Sequence, residues 1–202
     1  MELYLVRHTT PQIEKGLCYG QSDIGVTESF HTEASQISRV LPPNPGKVYS
    51  SPLQRCRILA NHLFPDSDIR LEPDLMEINC GHWELKHWDE IPPAEINPWM
   101  EDFVNIPIPG GENYIDVFNR TVSCFNRIRD QREPGVLVTH GGVIRSILSY
   151  ITQTPLRDSF QAFSLHYGCV VRVGPDLRYE ILHNIEGKKE QHKPSSYYAS
   201  EN

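Results

Sequence analysis

The chain opens on the apolar run Leu3-Tyr4-Leu5-Val6 and returns late to Val136-Leu137-Val138, and each run ends at a histidine. Arg7-His8 closes the first and Thr139-His140-Gly141-Gly142 closes the second. A short aliphatic run cut off by polar residues and Gly or Pro reads as a buried strand. In open α/β sheets the residues just past the carboxyl ends of parallel strands line the ligand crevice. If both runs belong to one parallel sheet, His8 and His140 are expected to meet there.

Between these runs, helical and extended patterns alternate. An irregular stretch from Gly16 to Gly25 carries Tyr19-Gly20-Gln21-Ser22-Asp23. A helix is predicted from Thr27, as N-cap, to Leu41, where Pro42-Pro43 stops it. Lys47-Val48-Tyr49 is a short strand. Ser51-Pro52 then reads as an N-cap followed by proline at the first helical position. The helix behind it carries Leu53, Cys56, Leu59, Ala60 and Leu63 at helical spacing and ends at Pro65. Ile69–Leu71 is another short strand. From Asp89 to Pro109 five prolines (92, 93, 98, 107 and 109) favour short helices and loops. Helices are predicted over Asn113–Gln131 and Val143–Thr152, and strands over Cys169–Val173 and Tyr179–Leu182. The pattern predicts one α/β domain over residues 1–186 and a polar, frayed tail over 187–202.

Composition narrows the function. At 202 residues, 39% hydrophobic and 22% charged, the chain suits one soluble globular domain with a real core. A net charge of −7 argues against a nucleic-acid partner, which calls for a basic face. A small anionic substrate remains compatible, since a local cluster of Arg and His can oppose the global sign. The five cysteines are scattered with no C-x-x-C pair, which argues against a disulfide framework and a thiolate zinc site. Without a leader-like start or a membrane-length apolar run, the expected location is the cytoplasm, with no membrane partner.

Five blocks then occur in a telling order: Leu5-Val6-Arg7-His8, Ser51-Pro52-Leu53-Gln54-Arg55-Cys56, Glu77 ahead of Gly81-His82-Trp83-Glu84, Gly110-Gly111-Glu112, and Thr139-His140-Gly141-Gly142. The chain resembles the histidine phosphatase, or phosphoglycerate mutase-like, superfamily. That resemblance implies a three-layer α/β/α sandwich around a mostly parallel central sheet. It also implies a metal-independent phosphomonoester hydrolase acting on a small phosphorylated metabolite and releasing inorganic phosphate. His8 would attack phosphorus and become a phosphohistidine; neutral imidazole suits this, with a reference pKa of about 6.5. Arg7 and Arg55 would grip the phosphoryl oxygens with forked donors, Arg55 from the first turn of a helix. His140, Gln21 and Ser22 would complete the phosphate contacts. Glu77 would protonate the leaving alkoxide and then activate water, although Glu84 and Glu112 lie in comparable loops. The resemblance requires neither metal nor cofactor, since cationic side chains neutralise the phosphate. A homodimer is compatible with it.

The common Arg-His-Gly-Glu start is here Arg7-His8-Thr9-Thr10-Pro11, Leu-Thr-x-x-Gly becomes Val26-Thr27-Glu28-Ser29-Phe30, and Trp-Glu-Gly becomes Trp83-Glu84-Leu85. Cofactor-dependent mutases carry Arg-His-Tyr-Gly beside the acid, where this chain has Ile78-Asn79-Cys80-Gly81, which favours a phosphatase. The block from Gly16 to Asp23 resembles α-ribazole-5′-phosphate phosphatases of cobalamin nucleotide-loop assembly. A phosphoglycerate mutase is the alternative enzyme. A non-catalytic phospho-ligand binding module is the alternative from another class, and the presence of Arg7, His8, Arg55, Glu77 and His140 together disfavours it.

Overall fold

Side chains along the first strand, β1 (Leu3–Arg7), alternate between two apolar layers. Leu3 and Leu5 pack into one core cluster, Tyr4 and Val6 into another. A strand can serve two layers in this way because successive side chains point to opposite faces. β4 (Gly135–Thr139) repeats the pattern, with Leu137 on the first side and Val136 and Val138 on the second. A computed structural model describing residues 1–185 shows the result: helices cover both faces of one six-stranded sheet. The expected tail over 187–202 lies outside the described residues.

The strand order is β3-β2-β4-β1-β5-β6, adding β2 (Lys47–Ser50), β3 (Ile69–Leu71), β5 (Val170–Val173) and β6 (Tyr179–His183). β3, β2, β4 and β1 run parallel, while β5 and β6 add antiparallel at one side. On one face lie α1 (Phe30–Ser38) and α2 (Gln54–Leu63), which contribute Ile37 and Leu59 to the core. On the other lie α4 (Tyr114–Arg129) and α5 (Gly141–Thr152), which contribute Phe125 and Ile147. The proline-rich stretch folds outside the sheet around α3 (Pro93–Glu101), over a third cluster that includes Trp83, Trp88 and Ile96.

Three helix starts depart from expectation. α1 begins at Phe30 rather than after Thr27, because the Thr27 carbonyl accepts the Phe30 N–H in a turn and its hydroxyl faces Ser29. α2 begins at Gln54, so Ser51 is not its cap. The Ser51 hydroxyl accepts the Leu53 N–H at 3.3 Å in a turn, and Asp23 Oδ1 accepts the Gln54 N–H at 2.6 Å. α5 starts two residues early, taking Gly141 and Gly142 into its first turn. α4 starts as read: the Asn113 side chain accepts from Asp116 N and the Asp116 carboxylate accepts from Asn113 N.

That reciprocal cap supports a prediction. Asn113→Ala removes one half of the box and should destabilise the protein by about 1 kcal/mol, read as a lower urea midpoint at unchanged slope. A midpoint equal to the parent's would show that the cap contributes nothing.

Candidate active site

The pairing of β1 with β4 sets Arg7 opposite Thr139, so the residues that follow them, His8 and His140, emerge side by side. Their rings lie 5.1 Å apart, edge to face, and both are buried. The backbone at His8 is fixed on both sides: its N–H donates to Thr139 and its carbonyl accepts from Gly168, each at 3.0 Å.

The His8 ring has a defined direction. Its Nδ1 lies 2.7 Å from the carbonyl oxygen of Thr9. A carbonyl only accepts, so Nδ1 carries the proton and the neutral ring keeps its lone pair on Nε2. The glycine-to-threonine departure at position 9 leaves this contact intact because the acceptor belongs to the main chain.

Arg7, His8, Arg55 and Glu77 line one cavity of about 750 Å³ at the carboxyl edge of the parallel strands. Arg7 is 4% exposed; its Nη1 donates to the Leu165 carbonyl, and its guanidinium stacks 4.2 Å over the Tyr167 ring. Arg55 is fully buried in the first turn of α2, where Nη1 and Nη2 donate to the carbonyls of Ser22 and Gly20. Its Nε meets no hydrogen-bond partner among the described residues.

Glu77 approaches from outside the sheet. Its two carboxylate oxygens accept the N–H of Ile78 at 2.9 Å and of Gly142 at 3.0 Å, the latter in the first turn of α5. A helix N-terminus favours an anion there. A Cβ at position 142 would fall 2.3 Å from Glu77 Oε1, so only glycine admits the carboxylate so close. The rival carboxylates are otherwise engaged. Glu84 accepts from the N–H groups of Gly20, Gln21, Ser22 and Cys80 and from the Ser22 hydroxyl. Glu112 forms a forked ion pair with Arg120 and accepts the Asn79 N–H. The departure at Leu85 falls just past Glu84 and keeps a left-handed backbone, φ 62°, a conformation that suits glycine better.

Three expected phosphate ligands stand off the cavity wall. The Ser22 hydroxyl is 2.5 Å from Glu84, and the Gln21 amide donates to the Glu77 carbonyl at 3.0 Å. Both side chains therefore brace the loop that supplies the Arg55 acceptors. His140 sits beside His8, with Nε2 2.8 Å from the Ser51 hydroxyl. Burial, followed by the charges of Arg55, His8 and Arg7, holds its pKa well below the usual imidazole value and keeps the ring neutral. The neighbouring Cys56 thiol is pushed up to about 12 by burial, so it stays protonated.

Two residues escaped the sequence reading. Arg145 lines the cavity one turn beyond Gly141, with its guanidinium 4.5 Å over the Phe160 ring. A Cβ on Gly141 would lie 3.1 Å from Arg145 Nη1 and 3.2 Å from Arg7 Cζ, so the two guanidinium groups flank that glycine. A lone arginine in the buried stretch Val143–Leu148, whose other residues are apolar or the small Ser146, was the available signal. Arg120, from α4, donates to the carbonyls of Asp74, Met76 and Glu77 and so fixes the segment that presents the carboxylate. Among the described residues no group of three or more His, Cys, Asp or Glu converges as a metal site requires, and no helix is long and apolar enough to cross a membrane.

The neutral His140 implies a pH dependence. Its folded pKa lies below the unfolded reference of 6.5, so the unfolded chain binds the proton first as pH falls. Stability from this group is full above that reference and is lost progressively as pH falls below it. The urea midpoint should drop between about pH 7.5 and about pH 5.5, and drop less in His140→Gln. Equal drops in the two proteins would show that His140 is not the linked group.

Comparison with known proteins agrees with this geometry. A 6-phosphofructo-2-kinase/fructose-2,6-bisphosphatase of Arabidopsis thaliana is 28% identical over 145 residues, 67% of this chain but only 19% of that longer protein. An adenosylcobalamin/alpha-ribazole phosphatase of Salmonella typhimurium is 26% identical over 179 residues, 84% of this chain and 88% of that one. The crystal structure of the alpha-ribazole phosphatase from Shigella flexneri superposes with a TM-score of 0.80 at 22% identity, covering 94% of this chain and 100% of that chain. The sequence pattern of the histidine phosphatase superfamily (branch 1) matches residues 3–185, and the chain belongs to that superfamily.

Proposed function

We propose that the chain hydrolyses phosphate monoesters through a phosphohistidine on His8, without a metal, and that its substrate is α-ribazole 5′-phosphate. The observation that carries the chemistry is the His8 ring, with Nδ1 committed to the Thr9 carbonyl and Nε2 left as the nucleophilic nitrogen in a cavity shared with Arg7 and Arg55. The substrate rests on the likeness to relatives named for that activity and on a cavity large enough for a nucleotide-sized ester.

In the first step Nε2 bonds to phosphorus while the bond to the ester oxygen breaks. Glu77 gives that oxygen a proton, so a neutral alcohol leaves. Arg7 and Arg55 neutralise the phosphoryl oxygens as charge spreads over them. The neutral ring of His140 packs edge-on against His8 and helps hold it in place, with its Nε2 beside the Ser51 hydroxyl. In the second step Glu77 takes a proton from water, water attacks the phosphohistidine, and inorganic phosphate leaves. The partner is thus a small phosphorylated metabolite, met in the cytoplasm, and neither nucleic acid nor membrane takes part.

Two experiments test this reading. His8→Ala should abolish turnover with the fold retained, and acid-labile phosphate should be trapped on His8 of the parent during turnover. Label on a serine or cysteine, or a large loss of activity with a chelator, would overturn the mechanism. Isomerisation of 3-phosphoglycerate in preference to ester hydrolysis would make the protein a mutase.

The role of Glu77 shows in the leaving group. Glu77→Gln should slow an alkyl phosphate by about 10²-fold or more, and 4-nitrophenyl phosphate, whose phenolate departs readily, far less. Glu84→Gln and Glu112→Gln should lack this selectivity. A selective loss in either of them, or equal slowing of both substrates by Glu77→Gln, would reassign the acid.

A further inference from the structure

The two halves of the cavity differ in kind. Around His8 the wall carries Arg7, Arg55 and Glu77, whereas beyond Ile78 it is rich in aromatic rings, Trp88, Trp99, Phe103, Tyr114 and Phe160, with Glu101, Arg145 and Arg157 among them. These rings form a connected series. Trp88 stacks on Trp99 at 6.0 Å and 25°, Trp99 meets Phe103 at 6.2 Å, and Phe103 meets Phe160 edge-on at 5.5 Å. The indole N–H groups of Trp88 and Trp99 are buried and have no acceptor among the described residues, although Trp83 in the same cluster donates to Glu95 at 2.9 Å.

Phosphoryl transfer uses none of this. The wall comes from the turn at Trp88, α3 and the residues after it, the α4 start and α6 (Ser159–Ala162), not from the strand ends that carry Arg7, His8 and His140. A three-carbon phosphate would occupy only the charged end of a cavity of about 750 Å³. Ring faces and edges select flat rings over flexible chains, because aromatic pairs gain from offset or edge-on geometry beyond their buried area.

We propose that this wall is a leaving-group subsite that takes a flat aromatic ring, with Trp99 and Phe103 as its specificity-determining residues. The assignment rests on the phosphatase reading for the chemistry at the other end, but binding of the ring does not require turnover. The subsite therefore also retains the dephosphorylated product as a competitive inhibitor.

The test separates the two ideas. Calorimetry measures binding of α-ribazole, which lacks the phosphate, with glycerol as the non-aromatic control. Kinetics compare α-ribazole 5′-phosphate, octyl phosphate and glycerol 3-phosphate. Trp99→Leu and Phe103→Leu keep apolar volume while removing a ring, and thermal unfolding verifies that each variant is folded. Each should weaken α-ribazole binding and raise KM for its phosphate about fivefold, with kcat/KM for glycerol 3-phosphate unchanged. Saturable α-ribazole binding by a protein that hydrolyses no ester would overturn the phosphatase reading and uphold the subsite. Hydrolysis with no α-ribazole binding above the glycerol control would overturn the subsite alone. Preference for octyl phosphate, or equal loss on all three esters in both folded variants, would do the same.

Discussion

Two arginine side chains withdrawn from water, Arg7 and Arg55, impose a requirement that much of the surrounding structure meets. Burying a guanidinium demands acceptors, because an unpaired charge in a low-dielectric interior is among the most expensive arrangements a fold can contain. The answer here is main-chain oxygen. Leu165 serves Arg7, and Gly20 and Ser22 serve Arg55. A carbonyl brings no formal charge of its own, so these contacts hold the cations in place by hydrogen bonding alone. The loop that supplies the Arg55 acceptors is irregular and would not hold its shape alone. Glu84 gathers its N–H groups and ties them to Cys80, on the segment just past Glu77. One carboxylate thus holds together the loop behind the arginine and the segment that presents the other carboxylate.

What the sequence made legible follows from local rules. Uninterrupted apolar runs with abrupt polar ends located β1 and β4, and the parallel register then brought His8 beside His140. The start of α4 agrees with the predicted helix, and the structure supplies its reason: Asn113 and Asp116 satisfy each other within one turn. Two of the misread starts share a cause: distant partners decide them. Asp23 satisfies the Gln54 N–H and so fixes where α2 begins, and Glu77 anchors the glycine turn of α5. No local pattern encodes either contact. The same applies to Ser22 and Gln21, polar residues in a motif whose side chains serve the loop, and to Arg120, which reaches back from α4 to three carbonyls.

The layout divides the cavity by origin. Arg7, His8 and Arg55 come from a strand end and a helix start on the sheet, where any shift would disturb the core, whereas Glu77 reaches in from outside it. Trp88 and Trp99 come from the segment folded outside the sheet around its own small cluster, and these two can change without altering the β1–β4 register.

The acceptor that orients the His8 ring is the Thr9 carbonyl, an atom that every amino acid carries. No single substitution at position 9 can delete it. The direction of the ring therefore follows the backbone path at Thr9, whose side chain is itself fully buried. In inheritance terms, the chain has entrusted its most sensitive orientation to the one part of the polypeptide that the genetic code cannot rewrite.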